Sequence, residues 1–191
     1  MSVVKEVLTG WEEHSMLRLA NWHIHPIYEW TDTGCSCGRK CSSPGKHPRT
    51  RHGLKDATSN TDAQLEWLFK WPDASWAVRT GPESNLVVVD VDPDKGGEDT
   101  WNALIEQHGF VHTVTARTGS GGWHFYFQYP ADREIKNGRD VLGAGVDVRG
   151  SNGYVLLPGS THRLGGYEWA PGAAPSDVEV AVLPDWLLGA L

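Results

Sequence analysis

Hydrophobic positions along this chain change their period several times, and each change predicts an element. Between residues 3 and 20, Val4, Val7, Leu8, Trp11 and Leu19 recur at near-helical spacing and predict an amphipathic helix. Residues 21–30 read as a short extended piece around Pro26. Residues 31–54, rich in Gly, Ser, Pro, Cys and basic side chains, read as a long loop that is hard to order without a metal. Thr61-Asp-Ala-Gln64 has the spacing of a capping box, with Leu65, Leu68 and Phe69 on one helical face and Pro72 as the stop. Leu86-Val-Val-Val-Asp-Val91 is a continuous β-branched run and predicts a buried strand. Trp101, Leu104 and Ile105 predict a helix over 98–108, ended by Gly109. Strands follow at 113–117, 123–129, 146–149 and 153–157, another at 167–169, and a helical turn at Trp186-Leu-Leu188. Helices and strands alternate early and strands dominate later, so the expected class is α+β with a mixed or antiparallel central sheet. A lobe boundary is expected near Gly81-Pro82.

Composition narrows this picture. A chain of 191 residues suffices for one well-cored domain, or for two small lobes sharing a core. No stretch approaches the roughly 20 apolar residues that span a bilayer, and Met-Ser-Val-Val-Lys-Glu-Val at the start lacks the layout of a signal peptide. Three cysteines within seven residues suggest a metal site in a reducing compartment rather than a disulfide framework, so a cytoplasmic location is expected. The net charge of −7 argues against a surface of general positive potential for nucleic acid. One segment departs from that total: Arg39, Lys40, Lys46, Arg49, Arg51 and Lys55 fall in a stretch with no acidic residue, either a solvated loop or a phosphate-gripping one.

The period-2 strands also decide which polar side chains share a face. Asp90 and Asp92 project together from the end of a strand whose preceding valines are buried, and two adjacent carboxylates repel unless a cation sits between them. Hard divalent ions such as Mg²⁺ or Mn²⁺ take such oxygen ligands; the same pair also suits a strand end leading into the Pro93-Asp94 turn. Asp147 and Arg149 share one face of Val146-Asp-Val-Arg149, as a local ion pair or as part of a site. His124 and Tyr126 share one face of Trp123-His-Phe-Tyr-Phe127, after Thr118-Gly-Ser-Gly-Gly122, whose amides could approach an anion closely. That glycine run lacks the spacing of the phosphate-loop and dinucleotide fingerprints. Together, three strand-borne acids and a histidine are the parts of a two-metal phosphoryl-transfer centre.

Cys35, Cys37, Cys41 and His47 supply three thiolates and an imidazole, a complete tetrahedral shell for one structural Zn²⁺, with a Cys-x-Cys step tighter than common fingers use. Its basic surroundings suggest that this knot grips template or primer phosphate.

The order of motifs resembles the archaeo-eukaryotic primase superfamily, in particular its bifunctional primase/polymerase branch. The resemblance rests on Gly53-Leu-Lys-Asp-Ala-Thr58, Trp76-Ala-Val-Arg-Thr-Gly81, Leu86 to Pro93, Thr118 to His124, Gly145-Val-Asp-Val-Arg-Gly150 and Tyr154-Val-Leu-Leu-Pro-Gly-Ser-Thr-His162. It runs from about residue 15 to residue 188. Glycine at 122, where the superfamily's Ser-x-His motif has serine, is a departure. The resemblance implies a primase-like catalytic domain: an RRM-like mixed or antiparallel sheet over residues 81–191, packed against an N-terminal α/β lobe over 1–80 that carries the zinc loop 35–47. It implies template-directed nucleotidyl transfer by a DNA primase/polymerase, with Asp90, Asp92 and Asp147 holding two Mg²⁺ or Mn²⁺ ions and His124 contacting the incoming triphosphate. Lys55, Arg79, Ser120, Arg149, Ser160 and His162 are further candidates for nucleotide contacts, Arg79 and Arg149 alternatively for pairing with nearby carboxylates. The implied partners are a DNA template and primer, dNTPs or NTPs, and a helicase domain or protein, with no membrane, in replication of a plasmid, phage or other mobile element. A metal-dependent nuclease using the same acids, and a zinc-stabilised nucleic-acid-binding module without catalysis, are the alternatives.

Overall fold

The computed structural model describes residues 21–191, so the helix expected over 3–20 lies outside the described residues. The chain opens with β1 (Ile24–Ile27) and a small hairpin of β2 (Trp30–Thr31) and β3 (Gly34–Cys35). Next come α1 (Thr61–Lys70), β4 (Ser75–Arg79), β5 (Leu86–Val91) and α2 (Gly97–His108). The second half is mostly strand: β6 (Thr115–Arg117), β7 (Trp123–Gln128), β8 (Val146–Arg149) and β9 (Tyr154–Leu156). Then follow β10 (Thr161–His162), β11 (Gly165–Gly166), β12 (Glu168–Trp169), β13 (Ala181–Val182) and α3 (Asp185–Ala190). This is the mixed α/β class with antiparallel sheets that the periodicity predicts.

Two sheets carry the architecture. The larger has the order β12-β6-β7-β5-β8 and is antiparallel, with β13 added in parallel beside Phe127 and Gln128 of β7. The smaller has the order β1-β4-β9. Alternation on the large sheet sorts side chains as a pleated strand must. Val87, Val89, Val91, Phe125, Phe127, Val146 and Val148 face one way, into a core closed by Trp101 of α2 and Leu187 of α3. Leu86, Val88 and Tyr126 face the other way, into a second core with Ile24, Trp76, Val78 and Val155 of the small sheet. Each fully buried valine contributes about 1.5–3 kcal/mol, so a slip of β5 by one residue would forfeit both cores at once.

The small sheet takes strands from both sides of Gly81-Pro82, because β9 returns from the large sheet to pair with β4 through Ala77↔Leu156 and Val78↔Val155. β9, from the stretch 81–191, thus completes a sheet begun by strands of 1–80. Four expectations are corrected. The cap of α1 is Asn60, whose Oδ1 accepts from the Ala63 amide at 3.0 Å, while Gln64 turns inward and donates to the Thr58 carbonyl at 2.8 Å, so no capping box forms. Gln64 and Leu68 are the buried positions of that helix, and Phe69 is 52% exposed. Ser75–Arg79 is a buried strand that the polar–apolar pattern did not single out. Residues 31–54 are not all loop, since β2 and β3 form a hairpin at their start.

Candidate active site

The alternation that builds two cores also builds a polar patch between them. Asp90 stands on β5 in register with His124 of β7 on one side and Asp147 of β8 on the other. All three project from the face that looks toward the small sheet, and Arg149 joins them one step along β8. Its Nη2 donates to Asp90 Oδ2 and to Asp147 Oδ2, each at 2.8 Å. His124 Nε2 lies 3.5 Å from Asp90 Oδ1. Burial pushes the Asp90 carboxyl up, but the His124 ring and the Arg149 guanidinium outweigh it and hold Asp90 well below the usual carboxylate range. Asp147 is buried, and its second oxygen accepts from the Asp140 amide at 3.0 Å, which fixes the carboxylate's orientation.

Asp92 is separated from this pair. It lies one residue past β5 and caps the 3-10 turn Pro93–Lys95, with Oδ1 accepting from the Asp94 amide at 3.2 Å and Oδ2 paired with the exposed Lys95 at 2.6 Å. Among the described residues, the three aspartates do not converge as a ready group for one ion.

The glycine run beside them has a steric reason. A Cβ on Gly122 would collide with the Val91 carbonyl oxygen and stand 2.8 Å from Pro93 Cδ, so the residue two before His124 has no room for a side chain. A Cβ on Gly119 would likewise stand 2.5 Å from His162 Cβ and 2.7 Å from the Gly165 carbonyl oxygen. The loop borders its own recess of about 340 Å³ against Leu164–Gly166.

The cysteine–histidine cluster does converge. Cys35 Sγ and His47 Nε2 are 3.4 Å apart, Cys37 Sγ and Cys41 Sγ are 3.7 Å apart, and all four ligand atoms lie within 4.8 Å of one another. A tetrahedron with metal–sulfur bonds of about 2.3 Å has edges of about 3.7 Å, so the donor spacing fits an ion of that size. Hydrogen bonding with the Arg39 backbone, assisted by His47 and the neighbouring thiols, holds the Cys37 thiol down to about 6. Burial, then the Cys37 and Cys35 thiols, push Cys41 up to about 11. The hairpin β2–β3 presents Cys35, and the His47 ring packs on Tyr28 with centroids 4.7 Å apart.

Residues 14–186 match the model of the N-terminal domain of bifunctional DNA primase/polymerases, Prim-Pol. The chain belongs to that family. No curated protein matches it closely enough to count as a relative. Membership makes it a nucleotidyltransferase-type DNA primase/polymerase, of a metal-dependent group whose members bind DNA and nucleotides. Among the described residues no helix is long and apolar enough to cross a membrane.

In this Prim-Pol domain the polar patch forms part of the wall of a cleft of about 930 Å³. Asp90, His124 and Arg149 come from the large sheet, Tyr154 from the small one, His162 from β10, and Lys46 from the loop that carries the cysteines and His47. Among the described residues, Lys46, Arg139, Arg149 and Arg163 face a single lining carboxylate, Asp90, so an acidic chain concentrates positive charge in its cleft. Burial, with Lys46 and Arg163 nearby, lowers the His162 pKa, against a hydrogen bond to the Gly119 backbone.

The other sequence candidates lie elsewhere. Lys55 is exposed on the turn Gly53–Asp56 and Ser120 is in the glycine loop, its Oγ 3.1 Å from Thr118 Oγ1. Arg79 pairs with Glu83 and donates to Asn152 Oδ1 at 3.0 Å. Ser160 is buried, its Oγ donating to the Trp76 carbonyl at 2.9 Å and accepting from the Trp76 amide at 3.0 Å, so it ties the chain after β9 to β4. Of the basic loop, Arg49 is held by Glu29 at 2.9 Å and lies over the Tyr28 and Trp71 rings. Arg139 and Arg163 were missed as cleft residues, and only their charge beside Asp140 and His162 could have drawn attention to them.

Proposed function

We propose that this cleft carries out template-directed nucleotidyl transfer by a two-metal mechanism, with a structural Zn²⁺ in the Cys35/Cys37/Cys41/His47 site. The observation that carries the reading is the convergence of Asp90 and Asp147 on one cationic point, Arg149 Nη2, at the wall of a cation-lined cleft large enough for a nucleotide. Two carboxylates that already share a cation offer hard oxygen donors to Mg²⁺ or Mn²⁺, and Asp92 at the adjacent strand end completes the acidic set. When bound, the pair of ions lowers the pKa of an attacking 3′-hydroxyl and neutralises charge on the leaving pyrophosphate. The chain's own residues do the rest. Arg149, once Asp90 and Asp147 are otherwise neutralised, is free to donate to phosphate oxygens with its planar fork. His124, beside Asp90, and His162 would both hydrogen-bond the triphosphate from the cleft lining. The short turn after β5 and the close seat of Gly122 keep Asp90, Asp92 and His124 in one rigid frame.

The test is primer extension on a templated strand with Mg²⁺ or Mn²⁺ and dNTPs, comparing the parent with Asp90→Asn. Template-dependent extension that disappears in the variant supports the reading. Shortening of an unprimed strand without nucleotide would replace it with a nuclease. Extension that persists in the variant would place the chemistry elsewhere.

A further inference from the structure

The metal-binding loop is read most simply as scaffold, but one of its side chains lies in the catalytic cleft. Lys46 immediately precedes the metal-ligating position His47 and follows Gly45, which has φ +69° and is buried against Trp30. Both flanks of Lys46 are thus pinned, one by the metal site and one by a packed left-handed turn. Its carbonyl accepts from Tyr154 Oη at 2.8 Å, which fastens it to the small sheet. Trp30, at the base of the loop, exchanges hydrogen bonds of 2.9 Å with Thr161 Oγ1 through both its amide and its carbonyl, which fastens it to β10.

The Lys46 side chain lines the cleft with Asp90, His124 and Arg149. Among the described residues its ammonium has no hydrogen bond and no ion pair, unlike Arg49 three residues on and Arg149 across the cleft. A half-buried cation without a partner, aimed at a cleft, is an anion site waiting for its ligand. Lys46 also lies within electrostatic reach of both Asp90 and Asp92, the strand end where the reacting phosphate must sit.

We infer that Lys46 binds the triphosphate of the incoming nucleotide, and that the Cys35/Cys37/Cys41/His47 site sets nucleotide affinity by holding Lys46 in place. This rests on the polymerase reading of the cleft. It assigns the metal loop a part in substrate binding rather than the grip on template or primer that its basic composition suggests, and it leaves Arg49, already paired with Glu29, outside the reaction.

The experiment measures equilibrium binding of a fluorescent dNTP, with Ca²⁺ to prevent turnover, and separately of a labelled primer–template. Parent, Lys46→Met and Lys46→Arg proteins are compared, with zinc content by elemental analysis. Lys46→Met is expected to weaken dNTP binding about tenfold, the scale of one charge-assisted phosphate contact. Its zinc content and primer–template affinity should remain as in the parent, and Lys46→Arg should recover most of the loss. Stripping zinc from the parent should produce a similar loss, and stripping it from Lys46→Met should add little, since both changes remove one interaction. Unchanged dNTP affinity in Lys46→Met overturns the inference, as does a loss confined to primer–template. Zinc removal that leaves dNTP affinity intact overturns the coupling. Each of these leaves the polymerase reading standing if Asp90→Asn still abolishes extension. A parent that neither binds dNTP nor extends a primer would overturn both.

Discussion

The Cys35/Cys37/Cys41/His47 group and the Asp90/Asp147 pair are both donor sets suited to metals, and the fold holds them in opposite ways. The thiols and imidazole stand at ligand spacing against one another, 3.4 and 3.7 Å apart. The carboxylates are instead bridged by Arg149. A soft, four-member set of this kind could hold an ion tightly, and an ion so held would be part of the folded structure. A hard set neutralised by an arginine needs no ion to fold, so on the proposed reading its ions would be free to come and go. On the proposed reading, the difference would separate a metal that builds the cleft wall from metals that work inside the cleft.

The largest test of that division is catalytic. Asp90→Asn and Asp147→Asn should each lower extension at least about a hundredfold while zinc content, read by elemental analysis, stays at the parent's value. A variant that also loses zinc would show that the two sets are not independent. Next in size, Cys41→Ser should lower the unfolding free energy by about 3 kcal/mol or more in a denaturant titration. A mild chelator that removes only Mg²⁺ should leave the melting temperature unchanged. An unaltered unfolding curve for Cys41→Ser would mean that residues 31–50 order themselves without an ion.

Acid should weaken the small sheet, on which the metal loop is fastened, through His25. Burial, then the nearby Arg79, hold this ring down to about 4 from its ordinary 6.5, against the weaker pull of Asp56. It stacks edge-on against Tyr154, and neither ring nitrogen has a hydrogen-bond partner among the described residues. The unfolded chain therefore takes up this proton before the folded one does. The contribution of His25 is complete above pH 6.5 and falls as pH drops from 6.5 to 4, a loss of about 3 kcal/mol. Melting curves across that interval check it, and His25→Leu should flatten the dependence. The smallest effect belongs to Lys95→Ala. Its pair with Asp92 is exposed on the lysine side, so unfolding stability should change by no more than about 1 kcal/mol.

Much of this was legible because strand alternation speaks directly. The valines of β5 and the aromatics of β7 announce their faces, and those faces place Asp90, His124, Asp147 and Arg149 on one side without further information. The cysteine spacing was legible for a similar local reason. What the residues did not reveal depends on contacts far along the chain. Ser160 looks like any polar turn residue until β4 arrives to be bridged by it. Arg79 is a free cation on paper and a partner of Glu83 in the fold. Lys46 reads as one charge in a basic run, and only the docking of its loop onto Tyr154 and Thr161 carries it to the cleft. Asn60 competed with Thr61 for the helix cap and won because Gln64 found the Thr58 carbonyl inside. Gly122, a departure from the superfamily's motif, became intelligible only when the Val91 carbonyl occupied the place of a side chain.

The passage from β8 to β9 takes only residues 150–153, and it carries the chain from the large sheet to the small one. Thr80 clamps it, donating from Oγ1 to the Gly150 carbonyl at 2.6 Å and from its amide to the Gly153 carbonyl at 2.9 Å. A seam sewn this way resists a swing of the small sheet against the large one. On the proposed reading, nucleotide entry and pyrophosphate exit would then rely on the segments that rim the cleft, residues 42–44 and 162–163. Cutting the gene near Gly81-Pro82 would yield fragments that each lack an edge the other supplies.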